Sequence, residues 1–126
     1  MKSLFTIQGI VQEGHNRGKR LGFPTINFPV AETLPEGIYV SQTTVQANTY
    51  HSLTFIGAAK TYHETSFQAE TYLFDFEQDI YGKTVTINLL KKIRDNQKFH
   101  SEEALVKQME EDKRQAEEFF KKSINV

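Results

Sequence analysis

Residues 14 to 27 read Gly-His-Asn-Arg-Gly-Lys-Arg-Leu-Gly-Phe-Pro-Thr-Ile-Asn, placing backbone freedom and positive charge directly before a short apolar segment. Glycine-rich backbone can turn its N–H groups toward an anion, and Arg17, Lys19 and Arg20 would add charge to such a cradle. The loop is not a P-loop. That motif needs four residues between its glycines and a hydroxyl after the lysine, whereas three separate Gly14 from Gly18 and Arg20 follows Lys19. The plain alternative is a solvated basic connection.

The end of the run is more specific. Pro24 fixes its own φ and biases Phe23 toward an extended conformation. In a strand that follows, Thr25 and Asn27 are two apart and point to one face. A hydroxyl and an amide oxygen side by side are hard neutral ligands of the type magnesium accepts beside phosphate oxygens and waters. The competing reading is a pair of outward polar residues on an edge strand. In "FQAETYLFDF" (67–76), Glu70 shares a face with Tyr72, Phe74 and Phe76, while Ala69, Thr71, Leu73 and Asp75 form the other. Either face could be the core. A carboxylate pocketed among aromatics is placed to accept a proton from a substrate hydroxyl; as a surface glutamate it would leave three aromatics facing water.

Other chemistries find no support. His15, His51, His63 and His100 are far apart, with no i, i+4 pair to suggest zinc. No Gly-x-Ser-x-Gly elbow is present. The charged residues of "KQMEEDKRQAEEFFKK" (107–122) read as the solvated face of a helix.

These side chains must be positioned by strands. "LFTIQGIVQ" (4–12) and "TINFPV" (25–30) read as strands, Pro29 marking an edge or an end. "LPEG" (34–37) is a turn signal. "IYVSQTTVQ" (38–46) and "HSLTFIG" (51–57) predict a hairpin turning at Ala47-Asn48-Thr49-Tyr50. "FQAETYLFDF" and "KTVTINLLKKI" (83–93) flank a second turn at Asp79-Ile80-Tyr81-Gly82. Val85, Ile87 and Leu89 alternate with Thr84, Thr86 and Asn88, the period of a half-buried strand. From Ser101, a plausible N-cap followed by Glu102 and Glu103, the period becomes helical through Leu105, Met109, Ala116, Phe119 and Phe120, with Lys121 and Lys122 at the far end. Strands followed by one amphipathic helix predict a small antiparallel barrel with the helix packed on it. The alternating β/α rhythm of a dinucleotide-binding fold is absent.

The bulk numbers fit one globular domain over residues 1–126, with 38% hydrophobic and 25% charged residues. A formal charge of −1 with interleaved signs lacks the basic excess of a nucleic-acid binder, so no nucleic-acid partner is expected. Zero cysteines removes disulfides and thiolate catalysis and suits a reducing compartment. "MKSLFTIQGIVQEG" is too short in apolar residues for a signal peptide, and no apolar run approaches a membrane span. A soluble cytoplasmic protein without membrane partners is expected; protein partners are not legible.

Taken together, the residues resemble the riboflavin kinase (flavokinase) family. Its Gly-x-Val, glycine- and arginine-rich loop and Leu-Gly-Phe-Pro-Thr-Ala-Asn are similar to Gly9-Ile10-Val11, Gly14 to Arg20, and Leu21-Gly22-Phe23-Pro24-Thr25-Ile26-Asn27. Leu34-Pro35-Glu36-Gly37-Ile38-Tyr39, Ile56-Gly57, Glu70 to Phe76 and Asp79 to Gly82 follow in the family's order, as does Ile93 to Phe99. The resemblance implies a six-stranded antiparallel Greek-key barrel with one C-terminal helix packed against it. It also implies transfer of the γ-phosphoryl group of ATP, with Mg²⁺ or another divalent cation, to the 5′-hydroxyl of riboflavin, giving FMN and ADP. Gly14, Arg17, Gly18, Lys19, Pro24, Thr25 and Asn27 would then bind the nucleotide phosphates, Thr25 and Asn27 also the metal. Glu70 would be the general base, two strands from that pair and facing it across a gap. Residues 94–99, with Arg94, Lys98 and Phe99, would form a flap over the flavin.

Three positions depart from the family: Ile26 stands for Ala, Lys60 for a Pro, and Tyr72 for a His two residues after the base. Ile26 is tolerable if it points into the core; the other two touch loop geometry and flavin contacts. Members are often fused to an FMN adenylyltransferase domain with a His-x-Gly-His motif, which these residues lack. The alternatives are a non-catalytic flavin- or nucleotide-binding module on the same barrel, or an oligonucleotide-binding barrel.

Overall fold

A computed structural model of the chain describes residues 2–12, 22–31, 33–61 and 64–124, and the described residues form six strands and one helix. They are β1 (Phe5–Ile10), β2 (Thr25–Pro29), β3 (Gly37–Val45), β4 (Asn48–Thr61), β5 (Glu64–Leu73), β6 (Thr84–Arg94) and α1 (Glu102–Ile124). One sheet contains all six in the order β1-β6-β3-β4-β5-β2, every pairing antiparallel. Within it β3, β4 and β5 form a meander and β6 returns beside β3, which is a Greek key. The sheet curls into a half-barrel. Its two edges meet where the Gln12 N–H donates to the Asn27 carbonyl at 2.8 Å.

Alternation in the strands fills the inside. Phe28, Tyr39, Ile56, Ala69, Val85, Ile87 and Leu89 are buried there, with Ile26 packed against them, so the departure at Ile26 is a core residue. Gly9 is required by that packing, because a Cβ there would lie only 2.1 Å from the Phe28 ring. The interior also holds hydroxyls. Thr43–Ser52, Ser52–Ser41, Ser41–Thr54 and Thr54–Thr71 are linked at 2.9, 2.7, 2.8 and 2.9 Å, all fully buried. Each hydroxyl satisfies its neighbour, which removes the cost of burying it.

The outer face is covered as well, by α1. Ser101 caps the helix, its hydroxyl accepting from the Ala104 N–H at 3.1 Å. Ala116 and Phe120 pack on Val40, Leu53, Phe74 and Leu90 of the sheet. The expectation that residues 107–122 present only a solvated charged face is corrected at two positions. Asp112 is 3% exposed, and Lys113 lies over the Tyr72 and Phe74 rings at 5.7 and 5.6 Å.

Two boundaries also move. The first hairpin turns on Gln46 and Ala47 alone, both at positive φ (49° and 71°), while Asn48 already pairs with Val45. That is a two-residue hairpin turn made without the usual Asn-Gly, so composition placed it late. Strand β5 runs Glu64–Leu73 and gives way at Phe74 and Asp75. The second turn stands as expected, with Gly82 at φ 80° and the Asp79 carboxylate accepting from the Tyr81 N–H at 3.0 Å.

Candidate functional site

The antiparallel pairing of β2 with β5 sets Thr25 opposite Tyr72 and Asn27 opposite Glu70. Opposed residues on neighbouring strands share a face, so the hydroxyl, amide and carboxylate converge on the outside of the half-barrel. The Thr25 hydroxyl donates to Glu70 Oε1 at 2.9 Å. The structure thus corrects the expected separation: Glu70 is on the adjacent strand and in contact with Thr25, with no gap between them. Which face of β5 is the core is also decided. Ala69, Thr71 and Leu73 point inward, leaving Glu70, Tyr72 and Phe74 on the face that meets α1.

Beside this cluster a cavity of about 280 Å³ opens between the outer face of the sheet, residues 95–99 and α1. Thr25 and Glu70 line it together with the aromatic rings of Phe23, Phe55, Tyr72 and Phe99. Phe23 meets Tyr72 edge-on, centroids 5.3 Å apart. A largely apolar cleft with a few polar groups converging at one end is the usual form of a small-molecule site. Its size and aromatic walls suit a flat ring system, with the Thr25 hydroxyl and the Glu70 carboxylate as polar groups in the lining.

Residues 94–99 form one wall. The Arg94 guanidinium makes a two-pronged ion pair with Asp112 of α1, Nη2 to Oδ2 being 2.8 Å, and stands 5.8 Å from the Phe99 centroid. Phe99 lines the cavity, whereas Lys98 and Pro24 are exposed. At the start of this wall Lys92 Nζ approaches Asp95 Oδ1 at 2.7 Å. That hydrogen bond holds the Asp95 carboxyl below its ordinary range and raises Lys92 above its own.

Gly14, Arg17, Gly18 and Lys19 lie outside the described residues, as does the side chain of Lys60. The run of charges over residues 107–122 does not single out Asp112 or its neighbour Gln108. A signal existed, since 105, 109, 112, 116 and 120 fall on one helical stripe and set Asp112 among apolar neighbours.

For a divalent cation, the donors available are the Thr25 hydroxyl, the Asn27 amide oxygen and the Glu70 carboxylate. Among the described residues no group of three or more His, Cys, Asp or Glu side chains could form a cage. A set with one carboxylate and two neutral oxygens fits magnesium, which is usually bound through one or two carboxylates and keeps waters and phosphate oxygens for the rest. Among the described residues no helix is long and apolar enough to cross a membrane.

Comparison with known proteins gives a consistent picture. Residues 1–120 match the Flavokinase (riboflavin kinase) family. A trifunctional protein RibF/MnmA of Mycoplasmoides gallisepticum is 40% identical over 121 residues, covering 94% of this chain and 18% of its own length. The bifunctional riboflavin kinase/FMN adenylyltransferase of Bacillus subtilis is 34% identical over 122 residues, covering 92% of this chain and 39% of its own. A second protein of that organism, named RNA-binding riboflavin kinase RibR, is 36% identical over 108 residues, 84% of this chain and 47% of its own. The chain therefore spans less than half of each of these relatives. Among solved structures, one named as a macrolide-efflux protein from Streptococcus pneumoniae superposes with TM-score 0.77 at 35% identity, over 86% of this chain and 37% of that one. Riboflavin kinase from Trypanosoma brucei superposes with TM-score 0.69 at 24% identity, over 93% and 77%, a likeness of fold.

Proposed function

The chain belongs to the riboflavin kinase family, and we propose that it transfers the γ-phosphoryl group of ATP to the 5′-hydroxyl of riboflavin, forming FMN and ADP. We read residues 1–126 as one such domain, acting in the cytoplasm. The observation that carries the reading is the Thr25–Glu70 hydrogen bond of 2.9 Å beside an aromatic cavity. A proton acceptor, a hydroxyl and an amide oxygen meet where the tail of a bound flavin would end.

Phosphoryl transfer asks little covalent work of a protein; it asks for in-line positioning and neutralised charge. Glu70 takes the proton of the ribityl 5′-hydroxyl as that oxygen forms a bond to the γ-phosphorus. The bond between the γ-phosphorus and the β,γ-bridging oxygen breaks, and ADP leaves. Thr25, donating to Glu70, orients the carboxylate. Thr25 and Asn27 would hold Mg²⁺ or another divalent cation, which when bound supplies charge neutralisation for the phosphates. Phe23, Tyr72 and Phe99 enclose the ring system. Gly14, Arg17, Gly18, Lys19 and Pro24 are assigned to the phosphates, and Arg94, Lys98 and Phe99 to the flavin side, on the family pattern.

Incubation with riboflavin and Mg-ATP, followed by chromatography, tests this directly. FMN and ADP in equal amounts are the expected products. Folded protein that binds riboflavin yet makes no FMN would mean the non-catalytic binding module instead. The RNA binding in the name of RibR is not carried over, because the chain has a formal charge of −1; salt-dependent retention on RNA would reverse that.

A further inference from the structure

We infer that Asp112 is a positioning residue for the riboflavin side of the site, acting through Arg94 on residues 95–99; this rests on the riboflavin reading above. Asp112 is a buried carboxylate that the phosphoryl-transfer chemistry does not use. Its side chain is 4% exposed, and Arg94 reaches it with Nε at 2.9 Å from Oδ1 and 3.1 Å from Oδ2, and with Nη2 at 2.8 Å from Oδ2. Gln108, one turn earlier on α1, donates to Oδ1 at 2.9 Å. The carboxylate is thus fully engaged by protein donors, so its part is to hold another group in place.

What it holds is the point where β6 becomes the cavity wall. Arg94 is the last residue of β6, its Nη1 donates to the Asp95 carbonyl at 3.2 Å, and its guanidinium stands 5.8 Å from the Phe99 ring. One planar group therefore ties the helix, the beginning of residues 95–99 and the aromatic ring at their end. The other side of the wall is fastened to the sheet, where Asn96 Nδ2 donates to the Ile56 carbonyl at 3.3 Å. That contact uses the space beside Gly57, where a Cβ would lie 2.8 Å from the same nitrogen.

A buried ion pair is a weak argument for net stability, since well-packed apolar residues often serve as well. A two-pronged arginine–carboxylate pair does fix geometry. The helix is already held near its C-terminal end by Ala116 and Phe120. Asp112 acts nearer the cavity, which Leu105 and Met109 also line. Its effect is to set the distance between α1 and residues 95–99, the dimension into which a flat ring must fit.

The test uses Asp112→Asn, which keeps the shape and removes the charge. In unliganded protein, amide hydrogen exchange over residues 95–99 should quicken while β3 and β4 keep their protection. In steady-state assays the riboflavin KM should rise about tenfold, the scale of one weakened charge-assisted hydrogen bond, with the ATP KM unchanged. Arg94→Lys, which keeps the charge and loses the fork, should show the same exchange signature and decides the matter if the first variant does not fold. Unchanged exchange over 95–99, or a loss that falls equally on both substrates, overturns the inference. If the wild-type protein makes no FMN the riboflavin reading fails instead, and the exchange comparison still reports whether Asp112 holds the wall.

Discussion

The Thr25 hydroxyl donates to Glu70 at 2.9 Å, yet one side chain offers a base and the other a donor and a cation oxygen, so their removal should leave different kinetic traces. Glu70→Gln keeps the shape, keeps an acceptor for Thr25 and removes the base. Turnover should fall by roughly 100-fold or more while riboflavin titration shows little change; near-normal turnover would remove Glu70 from its role. Thr25→Ala takes away both the donor to Glu70 and an oxygen for the cation. It should raise the ATP KM and the Mg²⁺ concentration needed for half-maximal rate, and unaltered Mg²⁺ and ATP titrations would withdraw the ligand assignment. Thr25 and Asn27 were legible as neighbours because Pro24 starts an extended segment whose period of two sets both on one face, and the same period sets Glu70 beside Tyr72. Asp112 was hidden by its setting in a run of exposed charges, and only the apolar stripe of Leu105, Met109, Ala116 and Phe120 marks its face of the helix as the inward one.

At the scale of elements, β1 and β2 depend on each other through an absent side chain. Gly9→Ala would press a methyl group into Phe28, which is 1% exposed. Overpacking of that kind costs about 1–3 kcal/mol, to be read as a lower urea midpoint. Since Phe28 follows Asn27 in β2, the ATP KM should rise with it. The helix carries a pH dependence of its own. Arg114 hydrogen-bonds Glu111 at 2.7 Å and, with Gln115, pulls its carboxyl from 4.5 to about 2. A depressed carboxylate stabilises the fold above its unfolded value and loses that effect as pH falls toward the folded one. The gap in melting temperature between the wild type and Glu111→Gln should therefore be constant near neutrality and close between about pH 4.5 and 2. It should be small and shrink in salt, because the pair is exposed. A gap that does not move with pH would remove the pair as its cause. Existence and order of these elements were readable from apolar period; the core face of β5 was not. Thr71 sits inside among Ala69 and Leu73, satisfied by Thr54, while Phe74 faces outward under α1, so both faces look partly apolar.

For the molecule as a whole, the same double burial explains where a ligand can go. The half-barrel interior is occupied by Phe28, Tyr39 and the chain of buried hydroxyls, whereas among the described residues the cavity under α1 has room for a ring system. A flavin bound there would touch the sheet on one side and the helix on the other, so unfolding of either part must release it. Ligand that binds only the folded chain stabilises by about 2.7 kcal/mol at a hundredfold excess over Kd. Riboflavin should therefore raise the melting temperature in a concentration-dependent way. The helical signal at 222 nm and the near-ultraviolet signal of the tyrosines, among them the buried Tyr39, should move together as one transition. If riboflavin shifted the tyrosine signal and left the helix melting earlier, α1 would not be part of the binding wall. Coincident shifts would make the helix and the half-barrel one cooperative unit, with the two halves of the proposed site, phosphate end and ring end, held in register by the same packing.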